Sequence, residues 1–229
     1  MENIPVSTSI LFILTTGSTF VFLLSAIRKT GASSWIVPAL GIFWLGLQAG
    51  LSLNGFYYSD PNSLPPHFPL LIIPPFFLIA SLFLNQSGRD FIDKLPLKTL
   101  TWIHVVRIPV ELVLFSLFLH LAIPELMTFE GRNPDILSGI TAPFVVWFGL
   151  KQKTISRNGL LLWNFLALCL LINIVVNAIL SAPIVFQQQA FDQPNIAVLY
   201  FPYCWLPSFI VPVVFFSHLV SIRQIWMAK

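Results

Sequence analysis

Three side chains able to do chemistry fall within one apolar run, Thr-Trp-Ile-His-Val-Val-Arg-Ile-Pro-Val-Glu from Thr101, as His104, Arg107 and Glu111. At about 100° per residue on a helix they lie within roughly 60° of one another. Arg107 and Glu111 stand four residues apart, a spacing at which a carboxylate and a guanidinium can meet on the helix surface. A charged group at the centre of a hydrocarbon-embedded helix costs about 3 kcal/mol on insertion scales, so each needs a partner. Such a carboxylate can carry a proton or hold a cation under the control of Arg107. Alternatively, Glu111 and His104 can act as general acid and base while Arg107 holds an anionic head group. The plainer reading is an ion pair that fixes helix packing. Pro109, between them, frees a backbone carbonyl in the preceding turn.

Further polar groups recur in later apolar runs. Asn173, Asn177 and Ser181 share one face of a helix that carries Asn164 on roughly the opposite face. Amides in such runs hydrogen-bond across helices or line a polar cavity. In the last run Tyr200, Tyr203, Cys204, Pro207, His218 and Ser221 share a face if the helix is continuous, although Pro202, Pro207 and Pro212 interrupt it. His218 sits about as far from its end of the run as His104 does, so the two are expected as neighbours. The candidate ligand or proton site is therefore His104, Arg107, Glu111, Asn173, Asn177, Tyr203 and His218. The polar segment Glu125–Asp135 can form an entry vestibule with Gln187, Gln188, Gln189 and Asp192, or be a solvated loop before a helix start. A haem between His104 and His218, or between His67 and His120, is sterically conceivable; hydrogen bonds to neighbouring groups are the commoner use of such histidines. No cofactor and no metal site are expected.

The elements that must position these groups are transmembrane helices. Of the 229 residues 56% are hydrophobic and only 9% charged, whereas soluble domains carry roughly 25% charged residues. The hydrocarbon core of a bilayer needs roughly 20 apolar residues of helix. Hydropathy predicts an all-α, polytopic bundle of about seven spans, at about residues 8–27, 34–55, 68–84, 100–123, 133–150, 159–183 and 197–222, forming one domain over 1–229. The fifth is the weakest, because Asn133, Asp135, Ser138 and Thr141 fall in its first turns. Ten of the twelve Lys and Arg residues fall in alternate loops or the tail: Arg28, Lys29, Arg89, Lys94, Lys98, Lys151, Lys153, Arg157, Arg223 and Lys229. The positive-inside rule puts these in the cytoplasm, the N-terminus outside and the C-terminus in the cytoplasm, as a multi-pass protein of the cytoplasmic (plasma) membrane. The opposite side holds Glu2, Asp60, Glu125, Glu130, Asp135 and Asp192. Met-Glu-Asn before the first run, with Arg28-Lys29 after it, reverses the charge order of a secretory signal, so that run is expected to stay as an anchor. Gly46 and Gly50 form a GxxxG match, which lets a helix approach a neighbour closely. Residues 85–99 alternate charged and apolar positions before Pro96, as a short interfacial amphipathic turn would.

Several functions are excluded. A net charge of +3 spread over short loops offers no patch for nucleic acid. Cys169 and Cys204 both fall in apolar runs, without redox or zinc spacing. No lysine in a span can form a retinal Schiff base, and HExxH, GxSxG and P-loop motifs are absent. The leading expectation is a small-molecule or ion transporter, possible proton coupling included, or a membrane ligand-binding protein, with a polar site on span four. An intramembrane enzyme on a lipid or isoprenoid-like substrate, a haem or quinone redox protein, and a structural subunit are the alternatives. Partners are membrane lipids and a small-molecule or ion ligand.

Overall fold

The computed structural model describes residues 3–31, 35–59, 67–185 and 187–228. Glu2, Ser34, Asp60 and Lys229, which enter the topology argument, lie outside the described residues. Nine α-helices and no strand occur among the described residues: α1 Val6–Arg28, α2 Ile36–Leu53, α3 Pro69–Leu84, α4 Gln86–Ile92, α5 Leu97–Ile103, α6 Arg107–Leu119, α7 Ile136–Phe144, α8 Arg157–Ser181 and α9 Val211–Met227. Five helical stretches among the described residues are long and apolar enough to cross a membrane, six if α3 and α4 count as one bent span. The helix Ile136–Lys151 is apolar but shorter. Large apolar side chains such as Phe43, Phe77, Leu162 and Leu166 stand exposed on these helices, as lipid-facing surfaces do.

Prolines decide where the helices depart from α geometry. A proline at position i supplies no N–H to the carbonyl of i−4 and its ring crowds that carbonyl. Pro109 does this to Val105, and the chain tightens to a 3₁₀ turn over His104–Val106 that joins α5 to α6. Pro143 precedes a π-helical stretch at Val145–Lys151, and Pro207 lies in another at Leu206–Ile210, which runs into α9. Pro212 leaves the Ser208 carbonyl without its helical donor; the Trp44 indole N–H takes the place at 2.9 Å and ties α2 to the start of α9.

Helix ends differ most from the hydropathy reading in two places. The fourth run stops at Leu119 rather than Ile123, in a turn where Leu121 takes a φ of 60°. The seventh becomes helical only at about Trp205, so Tyr200 and Tyr203 lie in a turn before the helix. The common face drawn through them, Pro207 and His218 therefore does not exist. Residues 86–92 form a short helix, α4: Asn85 Oδ1 caps it by accepting from Gly88 N at 2.6 Å, and α4 turns 97° from α3. Its end is fastened to α9 by an Asp93–Arg223 ion pair at 2.8 Å. The guanidinium beside Asp93 holds that carboxyl below its ordinary range. Gly46 and Gly50 have open space beside them: among the described residues, and leaving aside the helix's own backbone, a Cβ at either would have no heavy atom within 4 Å.

Candidate functional site

The 3₁₀ turn before α6 and the first turns of α7 are brought together by a glycine. A Cβ on Gly139 would lie 2.8 Å from Ile108 Cγ1 and 3.3 Å from the His104 carbonyl oxygen. Only the missing side chain lets the two backbones approach. Asp135, one helical turn before Gly139, is thereby carried to Arg107, and the pair closes at 2.8 Å with both groups buried. Arg107 therefore pairs with Asp135, not with Glu111 four residues along its own helix. Glu111 instead accepts a hydrogen bond from Asn133 Nδ2 at 2.7 Å through Oε1. Asn133 is fixed in turn by donating to the Met127 carbonyl at 3.0 Å.

Arg107 also reaches α8 and α9. One terminal nitrogen donates to the Ala167 carbonyl at 3.0 Å, the other to His218 Nε2 at 3.2 Å. A guanidinium only donates, so His218 Nε2 must accept. The proton of this neutral imidazole then sits on Nδ1, which faces Asn164 Oδ1 at 3.1 Å. Asn164 donates through Nδ2 to the Leu160 carbonyl at 3.0 Å, which leaves its oxygen free to accept. Guanidinium, imidazole and amide thus form one continuous buried relay across α6, α9 and α8.

His104 belongs to the same cluster by stacking. Its ring lies 3.9 Å from that of His218 at an interplanar angle of 20°, with the edge of Trp163 5.5 Å away. Trp163 is held by donation to Thr141 Oγ1 at 2.9 Å. Among the described residues neither ring nitrogen of His104 has a hydrogen-bond partner, so no hydrogen-bonded path runs from Glu111 through this ring. Two face-to-face imidazoles at this spacing also do not address one metal from opposite sides. His67 and His120 turn to backbone carbonyls, of Phe56 and Ser116, each at 2.7 Å. Among the described residues no group of three or more His, Cys, Asp or Glu could hold a metal ion.

The seven candidate residues therefore divide. His104, Arg107, Glu111 and His218 meet in one cluster. Asn173 and Asn177 lie toward the far end of α8, where Asn173 donates to the Arg132 carbonyl at 2.8 Å and Asn177 to Asn173 at 3.2 Å. Tyr203 faces α1, its hydroxyl 2.9 Å from Ser9 Oγ and its ring 5.3 Å from that of Phe12. Sequence reasoning missed Asn133, Asp135 and Asn164 as members of the site. The available signal was the acid and amide in the first turns of the weak fifth span, beside a span-buried arginine in want of an anion.

The cluster borders a cleft. Phe68, Ile72 and Phe76 of α3 and its approach line it, with Leu171, Ile174, Val175, Ala178 and Ile179 of α8. Val110 and Leu114 of α6, Ile210 of the π-helical turn, and Val211 and Val214 of α9 also line it, as do the polar side chains of Arg107, Glu111, Asp135 and Asn195. Empty space totals about 720 Å³, counting the part open to the surface. α3 and α8 both wall the cleft yet make at most marginal contact with each other.

Residues 67–226 match the family model described as a domain of unknown function, DUF8737. The chain belongs to this family. The matched stretch runs from α3 to α9 and contains the whole Arg107 cluster and the cleft; α1 and α2 precede it. No curated protein and no solved structure matches.

Proposed function

We propose that this DUF8737 member is a membrane-embedded binding protein for a lipid-like amphiphile, with its polar site on the α5–α6 span. The observation that carries the reading is the cleft itself: a lining that is apolar on α3, α8 and α9, with a buried carboxyl and guanidinium among its residues. Sites of small ligands have this composition, mostly apolar surface with a few placed polar groups. A ligand entering from lipid need not cross water, so its tail can stay in apolar surroundings while its head reaches Glu111. In this reading the chain crosses the membrane seven times, N-terminus outside and C-terminus in the cytoplasm. The short helix Ile136–Lys151, about 24 Å at 1.5 Å per residue, supplies one crossing where the bilayer thins or flanking side chains snorkel.

The test is lipid retention. Protein purified in mild detergent is extracted, and the extract is analysed by mass spectrometry. About one amphiphile per chain is expected for the wild type and none for Ala178→Phe, which fills the cleft. No specific lipid in the wild type, or equal lipid in both, overturns the reading.

A second reading, transport of the same amphiphile, draws support from the π-helical turn Leu206–Ile210, three of whose residues line the cleft. Breaks of this kind let a helix bend at a binding site. Movement of a labelled amphiphile between leaflets of proteoliposomes, accelerated by the wild type and not by Glu111→Gln, distinguishes transport from binding alone.

A further inference from the structure

This inference rests on the amphiphile-binding reading and concerns the chemistry of the head group. An arginine at the end of an apolar cleft invites an anionic ligand, but the guanidinium here is already committed. Its terminal nitrogens serve His218, the Ala167 carbonyl and Asp135. A phosphate or carboxylate arriving at the same place would meet two carboxyl groups, Asp135 and Glu111, for one guanidinium. Like charges brought together out of water repel strongly.

The atoms that do lack partners form a different pattern. Glu111 is 1% exposed, and among the described residues its Oε2 has no hydrogen-bond donor, while Oε1 is held by Asn133. Arg107 Nε has no acceptor among the described residues. Asp135 Oδ1 makes no hydrogen bond either but is ion-paired to Arg107 at 2.8 Å. Asn195 stands apart, bonded to the Ala178 carbonyl, about 16 Å along α8 from the Ala167 carbonyl that Arg107 holds. The Arg107–Asp135 pair aside, the cluster thus presents one unpaired acceptor on Glu111 and one unpaired donor on Arg107. Buried polar atoms are paired in nearly all folded proteins, so such a set marks where a ligand completes the bonding. An ammonium satisfies only the acceptor and brings a cation beside Arg107. An ether or ester oxygen satisfies only the donor. A hydroxyl does both, because its proton can be given and its lone pairs can accept.

We infer that the cleft selects a neutral amphiphile with a hydroxyl head, a long-chain or isoprenoid-type alcohol, which donates to Glu111 and accepts from Arg107. Glu111 is then the specificity-determining residue: Glu111→Gln can set its amide N–H₂ where Oε2 stood, turning an acceptor into a donor.

The experiment uses oleyl alcohol, oleyl methyl ether and oleyl phosphate, which share one tail. Each is added to the full-length protein in detergent, and retention is read by native mass spectrometry. The wild type is expected to retain the alcohol at least about tenfold more tightly than the ether or the phosphate, the equivalent of ~1.4 kcal/mol. In Glu111→Gln the advantage over the ether should fall to about twofold or less. Ether or phosphate held as tightly as the alcohol by the wild type overturns the hydroxyl assignment and leaves the cleft reading standing. If none of the three binds and Ala178→Phe changes nothing in the lipid extract, the cleft reading itself falls. The wild-type series decides the matter even if Glu111→Gln does not fold.

Discussion

Two polar regions are built along α8 from similar residue types, and they do different work. Near its far end Asn173, Asn177, Ser181 and Gln189 bond in a local ladder. Gln189 donates to Asn177 Oδ1 at 3.1 Å, and Ser181 donates to the Asn177 carbonyl at 2.6 Å. Two successive backbone amides, of Gln188 and Gln189, close onto the Leu180 carbonyl. Among the described residues this ladder leaves no buried side-chain nitrogen or oxygen without a partner. Its work is to hold the loop after α8. In the Arg107 cluster, by contrast, His104, Arg107 and Glu111 keep atoms without a hydrogen-bond partner among the described residues, despite near-complete burial. Polar residues in an apolar helix are therefore not alike: a closed ladder is structure, and an open one beside a cleft is a site.

Breaking the open region at its charge pair should have the largest effect. Asp135→Leu leaves Arg107 buried without its anion, and such a loss costs about 3–5 kcal/mol. A collapse of the thermal transition in detergent is expected, and the double variant Arg107→Met, Asp135→Leu should recover most of it. An Asp135→Leu protein as stable as the wild type would mean that the pair is not closed. Glu111→Gln should separate stability from binding. Gln keeps an oxygen for Asn133, so the transition should shift by no more than the equivalent of about 1 kcal/mol, while the preference for the alcohol is lost. The closed region predicts the reverse. Asn177→Ala should lower stability by about 1 kcal/mol and leave lipid retention intact; loss of lipid there would erase the contrast.

The smallest effect belongs to the exposed Asp93–Arg223 pair. The Asp93 carboxyl is held below its ordinary value by the guanidinium, so its contribution is present above the unfolded aspartate pKa of about 3.9. It is lost as pH falls through the lower folded value. Screening by solvent keeps it small. A pH titration of thermal stability should therefore show Asp93→Asn and wild type converging only below about pH 4, and convergence at neutral pH would contradict it.

The helical architecture and half of the site were legible in the sequence because both depend on short-range pattern. Hydropathy located the apolar runs, and the three-residue and four-residue spacings put His104, Arg107 and Glu111 on one stripe. Their pairing was not legible. At four residues' separation Glu111 is the obvious partner for Arg107, yet Asp135 wins through an approach made possible by Gly139, a contact between different helices that no local rule encodes. Tyr203 misled for a related reason. Helical periodicity was extended through Pro202, where the chain is a turn, and the residue faces α1 instead. Asn164 was set apart because it stands on the opposite face of α8 from Asn173. That face is the one turned toward His218.

Along α8 the account makes a residue-by-residue claim that one labelling experiment reads directly. Ile174, Val175 and Ala178 line the cleft, whereas Ile172 and Val176 stand exposed on the outer surface. A long-chain alcohol carrying a diazirine in its tail, photoactivated in proteoliposomes and mapped by peptide sequencing, should label the first set at substoichiometric alcohol and lose it on competition with unlabelled oleyl alcohol. Label confined to Ile172 and Val176, unaffected by competitor, would mean that the tail only bathes the outside of the bundle and that the cleft holds no ligand.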